Sequence, residues 1–234
     1  ALMTVSGGVS GLGNLVLNNN STTASGITLS TTSVNNTGTI TNSGSGSGSV
    51  LISAAVGSSV TAVTENSATS ALTVSGAVTV NGSGTTFTNS NASGSSLLTV
   101  SGGVSGAGNV VLSNNSSIAN GITVSTGSLN NTGTVTNSGT GSGNSLVSSV
   151  VGTNVTGVVQ NSGTSGMSLT ASNVYTGATT VSAGQLTLGH ATNTLADVST
   201  LIVNGGTLDL GGNTDTVAGV QLLSGTIQNG TLTS

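Results

Sequence analysis

A chain of 234 residues with no Lys, Arg, Cys or Pro, 2% charged residues and a formal net charge of −4 departs sharply from the quarter-charged make-up of ordinary domains. With no cation to meet a phosphate, nucleic acid and anionic lipid are excluded as electrostatic partners. Without thiols no disulfide can form.

Gly, Ser, Thr and Asn dominate the polar residues, but Val, Ile, Leu and Thr recur every few positions and the mean hydropathy is +0.32. That pattern reads as folded β structure rather than disorder. Ala1–Thr64 has no ionisable side chain, yet polar residues interrupt each apolar run, so no membrane-spanning helix is expected. A start at Ala1 without a basic leader suits a mature or excised segment.

Short strands are predicted at Asn14–Leu17, Gly26–Leu29, Thr37–Thr41, Val50–Ser53, Leu72–Ser75 and Val78–Asn81. Asn-Asn, Ser-Gly and Asn-Gly turn signals separate them. "TVSGGVSGLGNLVL" at Thr4–Leu17 returns as "TVSGGVSGAGNVVL" at Thr99–Leu112, 95 positions on and without a gap. Gly26–Gly48 matches Gly121–Gly143 in the same way, and "ENSATS" (Glu65–Ser70) matches "QNSGTS" (Gln160–Ser165). Leu15/Val110, Leu29/Val124, Val34/Leu129 and Ile40/Val135 exchange one apolar side chain for another, as inward-facing strand positions do.

A gapless long repeat, the lack of aromatics to fill a sandwich, and Gly/Asn corners expected in left-handed conformations favour a stacked β-solenoid over a sandwich. The predicted organisation is one solenoid unit at 1–95, a second at 96–165, and coils of another type at 166–234. At about 4.8 Å per coil the whole is a rod on the order of 50 Å long.

The last section, with "NVYTGATTVSAGQLTLG" at Asn173–Gly189, resembles the autotransporter-associated β-strand repeat of bacterial surface proteins. The residues carrying the likeness are Tyr175-Thr176-Gly177, Thr179-Thr180-Val181, Gly184, Leu186, Leu188-Gly189, Gly205-Gly206-Thr207-Leu208, Leu210 and Gly225-Thr226. The resemblance implies an all-β, right-handed parallel β-helix, exported across the outer membrane and displayed as a stalk or adhesin. It brings no catalytic residues with it.

The ionisable side chains are Glu65, Asp197, Asp209, Asp215, His190 and Tyr175. His190, Asp197 and Ser199 lack the strained elbow and oxyanion signature of a nucleophilic triad, and His190 reads as a turn residue. Asp209 and Asp215, the one close carboxylate pair, could flank a glycosidic bond or hold calcium, but ordinary turn aspartates are the expected reading. No enzyme, cofactor or metal is therefore expected.

Asn18–Asn20, Asn35-Asn36, Asn114-Asn115 and Asn130-Asn131 recur after 95 residues, which favours amide ladders over isolated corners. Thr-x-Thr triplets at Thr39–Thr41 and Thr134–Thr136 resemble the arrays of ice-binding solenoids, but their irregular spacing argues against one long face. So few titratable groups predict a stability that varies little between about pH 5 and 9.

The expected function is structural: an extracellular cell-surface stalk, fibre or layer whose partner is another copy, as a homo-oligomer or filament. Weak net charge favours such association. The alternative is an adhesin segment that binds a surface glycan. No nucleic-acid partner and no membrane insertion are expected.

Overall fold

The computed structural model describes residues 2–92 and 94–234. Among them there is no helix, and every strand pairing is parallel. Among the described residues no helix is long and apolar enough to cross a membrane. The chain winds as a β-solenoid of about ten coils, each resting on the one before. Alternating Val/Leu/Ile and Thr/Ser dictate this. A strand puts successive side chains on opposite faces, so the apolar set turns inward while the backbone amides pair with the coils above and below.

The coils up to Val151 contribute to three ladders, of which the first and third run on beyond it. The first runs through Met3–Val5, Ile27–Leu29, Val50–Ile52, Leu72–Val74, Leu98–Val100 and Ile122–Val124. It continues through Ser145–Val147, Met167–Leu169 and Gln185–Leu188. The second is short, pairing Val9, Val34, Val56, Val78, Val104, Leu129 and Val151. The third passes from Leu15–Leu17 through the end of Val34–Asn42 to Val60–Glu65, Thr85–Asn89 and Val110–Asn114. Beyond these lie Thr134–Asn137, Gly157–Asn161 and Ala178–Ala183.

The stretch around Gly184 is a coil corner, not a hairpin. Ala178–Ala183 pairs with strands of the third ladder and Gln185–Leu188 with strands of the first, while Gly184 turns between them at φ 61°. Ala178–Ala183 lies on Gly157–Asn161, so the stacking runs unbroken past residue 165.

The core is a stack of like residues. Ile27, Val50, Leu72, Leu98 and Ile122 form one inward column of the first ladder, all buried. Phe87 fills the third ladder between Val63 and Leu112. Full burial of such a side chain contributes roughly 1.5–3 kcal/mol.

The duplicated units agree in backbone as well as sequence. Ser25 and Thr31 take left-handed conformations (φ 49° and 73°), and Asn120 and Thr126, 95 residues on, do the same (φ 54° and 66°). The third ladder nevertheless slips. Glu65 pairs with Asn89 and Asn89 with Asn114, whereas the sequence partner of Asn42 is Asn137, which pairs with Leu112. A slip of two residues keeps each side chain on its own face, so the core tolerates it.

The Ser-Gly run at Ser43–Ser49 is ordered by close contact, and its glycines are not left-handed as expected of corners. Gly46 and Gly48 donate to the carbonyls of Asn19 and Ser21, and Gly141 and Gly143 repeat this on Asn114 and Ser116. A Cβ on Gly46 would lie 2.1 Å from the Ser21 carbonyl oxygen, and one on Gly141 2.0 Å from that of Ser116. Glycine is required there for space.

Candidate functional site

Among the described residues the most unusual chemistry is inside the rod. The inward column that starts with Leu17 continues as Asn42, Glu65, Asn89 and Asn114. Glu65 is fully buried. Its Oε2 accepts from Asn42 Nδ2 at 2.9 Å, and its Oε1 accepts from the Ser67 amide at 2.6 Å. Ser67 Oγ in turn donates to the Gly44 carbonyl. Burial pushes the Glu65 carboxyl up to about 7, against the pull of the Asn42, Ser67 and Leu72 donors. No Lys or Arg exists to pair with a buried charge, so protonation is the inexpensive answer to desolvation.

The second unit carries Gln160 at the same place. Its Oε1 accepts from Asn137 Nδ2 at 2.8 Å, as Glu65 does from Asn42. Its Nε2 donates to the carbonyls of Ser162 (2.8 Å) and Ser165 (3.0 Å). Ser162 Oγ meets the Gly139 carbonyl, repeating Ser67 on Gly44. A neutral amide thus occupies in one unit the position of the carboxyl in the other. The exchange between "ENSATS" and "QNSGTS" was the signal of an uncharged interior position, and sequence reading assigned it no role.

The remaining candidates separate in space. The His190 ring nitrogen Nδ1 lies against the Thr192 carbonyl in its own turn. Asp197 is exposed and Ser199 is buried. Among the described residues no hydrogen bond joins His190 to either. Asp209 is half-buried on the outer side of the first ladder, where the Gly211 amide holds its carboxyl below the usual range. Asp215 is buried and accepts from the Leu195 and Thr216 amides, each at 2.9 Å. Burial raises its pKa. One carboxylate faces out and the other in, so they cannot flank a single bond. No cluster of three metal-ligating side chains occurs among the described residues.

Tyr175, in the resemblance motif, is a core residue. Its hydroxyl meets Thr179 Oγ1 at 2.6 Å, and burial pushes its pKa up to about 12.

The paired asparagines do not form amide ladders with one another. Asn36 Nδ2 donates to the Gly13 and Thr39 carbonyls, and Asn131 repeats this on Gly108 and Thr134. Asn35 Oδ1 accepts from the Ser59 amide. Asn19 and Asn114 likewise satisfy backbone groups of their own and the next coil. Parallel backbones one coil apart present carbonyls and amides at the reach of an Asn side chain, and these outcompete a second amide.

Two surface features complete the inventory. An open groove of about 570 Å³ forms where the corner segment between the third and first ladders shortens; Asn144, Thr164, Ser168, Gln185 and Thr187 line it. At both ends of the rod apolar side chains are uncovered: Leu2, Met3, Leu12 and Val16 at one, Val220, Leu222 and Leu223 at the other.

Compared with known proteins, the chain matches no protein family, no curated sequence and no solved structure.

Proposed function

We propose that this chain is a structural segment of an extracellular bacterial surface protein, a β-solenoid rod that joins head to tail with further copies as a stalk, fibre or layer. The observation carrying this reading is the contrast between middle and ends. Val34 and Ile40 of the second coil are fully buried, whereas Val5, Val9 and Leu15 of the first are only partly covered, and Leu222 of the last is 54% exposed. Within the described residues the outer edges of these two coils carry amides and carbonyls that no other coil pairs, and such edges template addition of a strand.

Because every ladder is parallel, a second copy can continue it in only one sense. A copy stacked in that sense makes a heterologous contact, which propagates into filaments. The likeness of Gly166–Ser234 to the autotransporter repeat supports the surface setting. Its Leu186, Leu188, Leu208 and Leu210 fill the core, and its Gly184, Gly205 and Gly225 sit at left-handed corners.

Electron microscopy of the purified chain tests this. Filaments of one rod's width are expected, and Leu222→Asp should abolish them. Particles that stay about 50 Å long at all concentrations would overturn it. The alternative, an adhesin segment, rests on the groove beside Gln185, whose amide and hydroxyl lining suits a neutral glycan. Glycan-array binding lost on Thr187→Trp, with no filaments, would favour it.

A further inference from the structure

Irregular spacing of the Thr-x-Thr triplets predicts no long Thr-x-Thr face, and none forms: Thr136, not Thr134, falls in the column of Thr39. Coil length varies, but corners absorb the variation, and the third ladder aligns short Thr, Ser, Ala and Val side chains in two columns. Thr39 lies beside Ala62, Ala62 beside Thr86, and Thr86 beside Val111, which meets Thr136. Two residues along, Thr41, Thr64, Thr88 and Ser113 form a second column, with Ser138 next to Ser113.

Five successive coils therefore present Thr/Thr, Ala/Thr, Thr/Thr, Val/Ser and Thr/Ser on one outer side. All of these positions are half-buried except exposed Ser138, so the surface is a low relief of methyls and hydroxyls. None of them is titratable.

The hydroxyls of Thr39, Thr41, Thr64, Thr86 and Thr88 make no hydrogen bond within the described residues. By contrast, Thr28 and Thr123 on the first ladder turn theirs to the Ser25 and Asn120 carbonyls at 3.2 Å. Those five third-ladder hydroxyls are left to solvent, while Ser113 Oγ donates to Asn115 Oδ1 at 3.3 Å and Thr136 Oγ1 meets Thr134 Oγ1 at 3.5 Å.

A surface without cavity or charge, but with a repeat in two directions, selects a ligand that repeats in two directions. Adjacent coils stand about 4.8 Å apart, and alternate residues along a strand about 6.6 Å apart. Both are of the same size as the oxygen repeats on a prism face of hexagonal ice. Methyls between the hydroxyls leave first-layer water with few competing orientations. A charged side chain would hold its own hydration shell and break the lattice match, and none stands on this face.

We propose that the outer side of the third ladder, from Thr39–Thr41 to Thr136–Ser138, is an ice-binding surface.

The test freezes a dilute solution of the whole chain slowly and measures protein in the ice and in the liquid, together with thermal hysteresis. The wild type is expected to enter the ice and shape the growing crystal. Thr88→Tyr, which raises a ring above the centre of the array, should abolish both effects. Thr99→Tyr, on the outer side of the first ladder, should leave them intact, and circular dichroism checks that each variant retains its β structure. Exclusion of the wild type from ice, or equal loss in both variants, would overturn the assignment. So would failure to enter ice combined with Thr88→Tyr-sensitive binding to crystalline polysaccharide or to another copy of the chain.

Discussion

Raising the pH should weaken this rod at one identifiable place. Glu65 is buried among Asn42, Ser67, Ser70, Leu72 and Asn89 with no charged group beside it. Its carboxyl is raised from 4.5 to about 7. A folded-state pKa above the unfolded one means that the native protein holds the proton more tightly. The resulting stability is complete below about pH 4.5 and is lost as the pH rises through 7. At about 1.4 kcal/mol per pH unit, the difference is on the order of 3 kcal/mol. For a chain of this size that is a melting shift of roughly 6–12 °C.

The flat profile between pH 5 and 9 expected from composition is therefore corrected: stability should fall from pH 5 to 7.5 and level off above. Asp215, also raised by burial, adds to the fall at its lower end. Asp209, held low by Gly211, acts oppositely and only in acid. Glu65→Gln installs the residue found at Gln160 and should remove most of the slope. Denaturation midpoints at pH 5 and pH 8 for both proteins measure this. Equal wild-type midpoints, or an unchanged slope in the variant, would refute the reasoning.

Phe87→Ala, which empties a fully buried site between Val63 and Leu112, should cost about 3–5 kcal/mol by urea denaturation. Gly46→Ala and Gly141→Ala should each destabilise by about 2 kcal/mol or more, because the new methyl overlaps a carbonyl of the coil below. A neutral outcome in calorimetry would mean that the corner yields. Thr126→Gly should stabilise by about 1 kcal/mol, since an exposed β-branched residue at φ 66° is strained where glycine is not.

Sequence alone determined that the chain is a stack. The return of Thr4–Gly48 after 95 residues and the inward exchanges Leu29/Val124, Val34/Leu129 and Ile40/Val135 are local facts, and all six of those side chains are buried. Strand positions were legible for the same reason: alternation has a period of two whatever lies above or below. What only the tertiary structure decided is which coil meets which, and in what register. Corners of differing length set that register, and it brought Asn42 against Glu65, aligned Thr41, Thr64 and Thr88, and sent the paired asparagines to carbonyls of neighbouring coils. Such contacts join residues 23 to 25 apart, and no pattern within a single coil encodes the pairing of two.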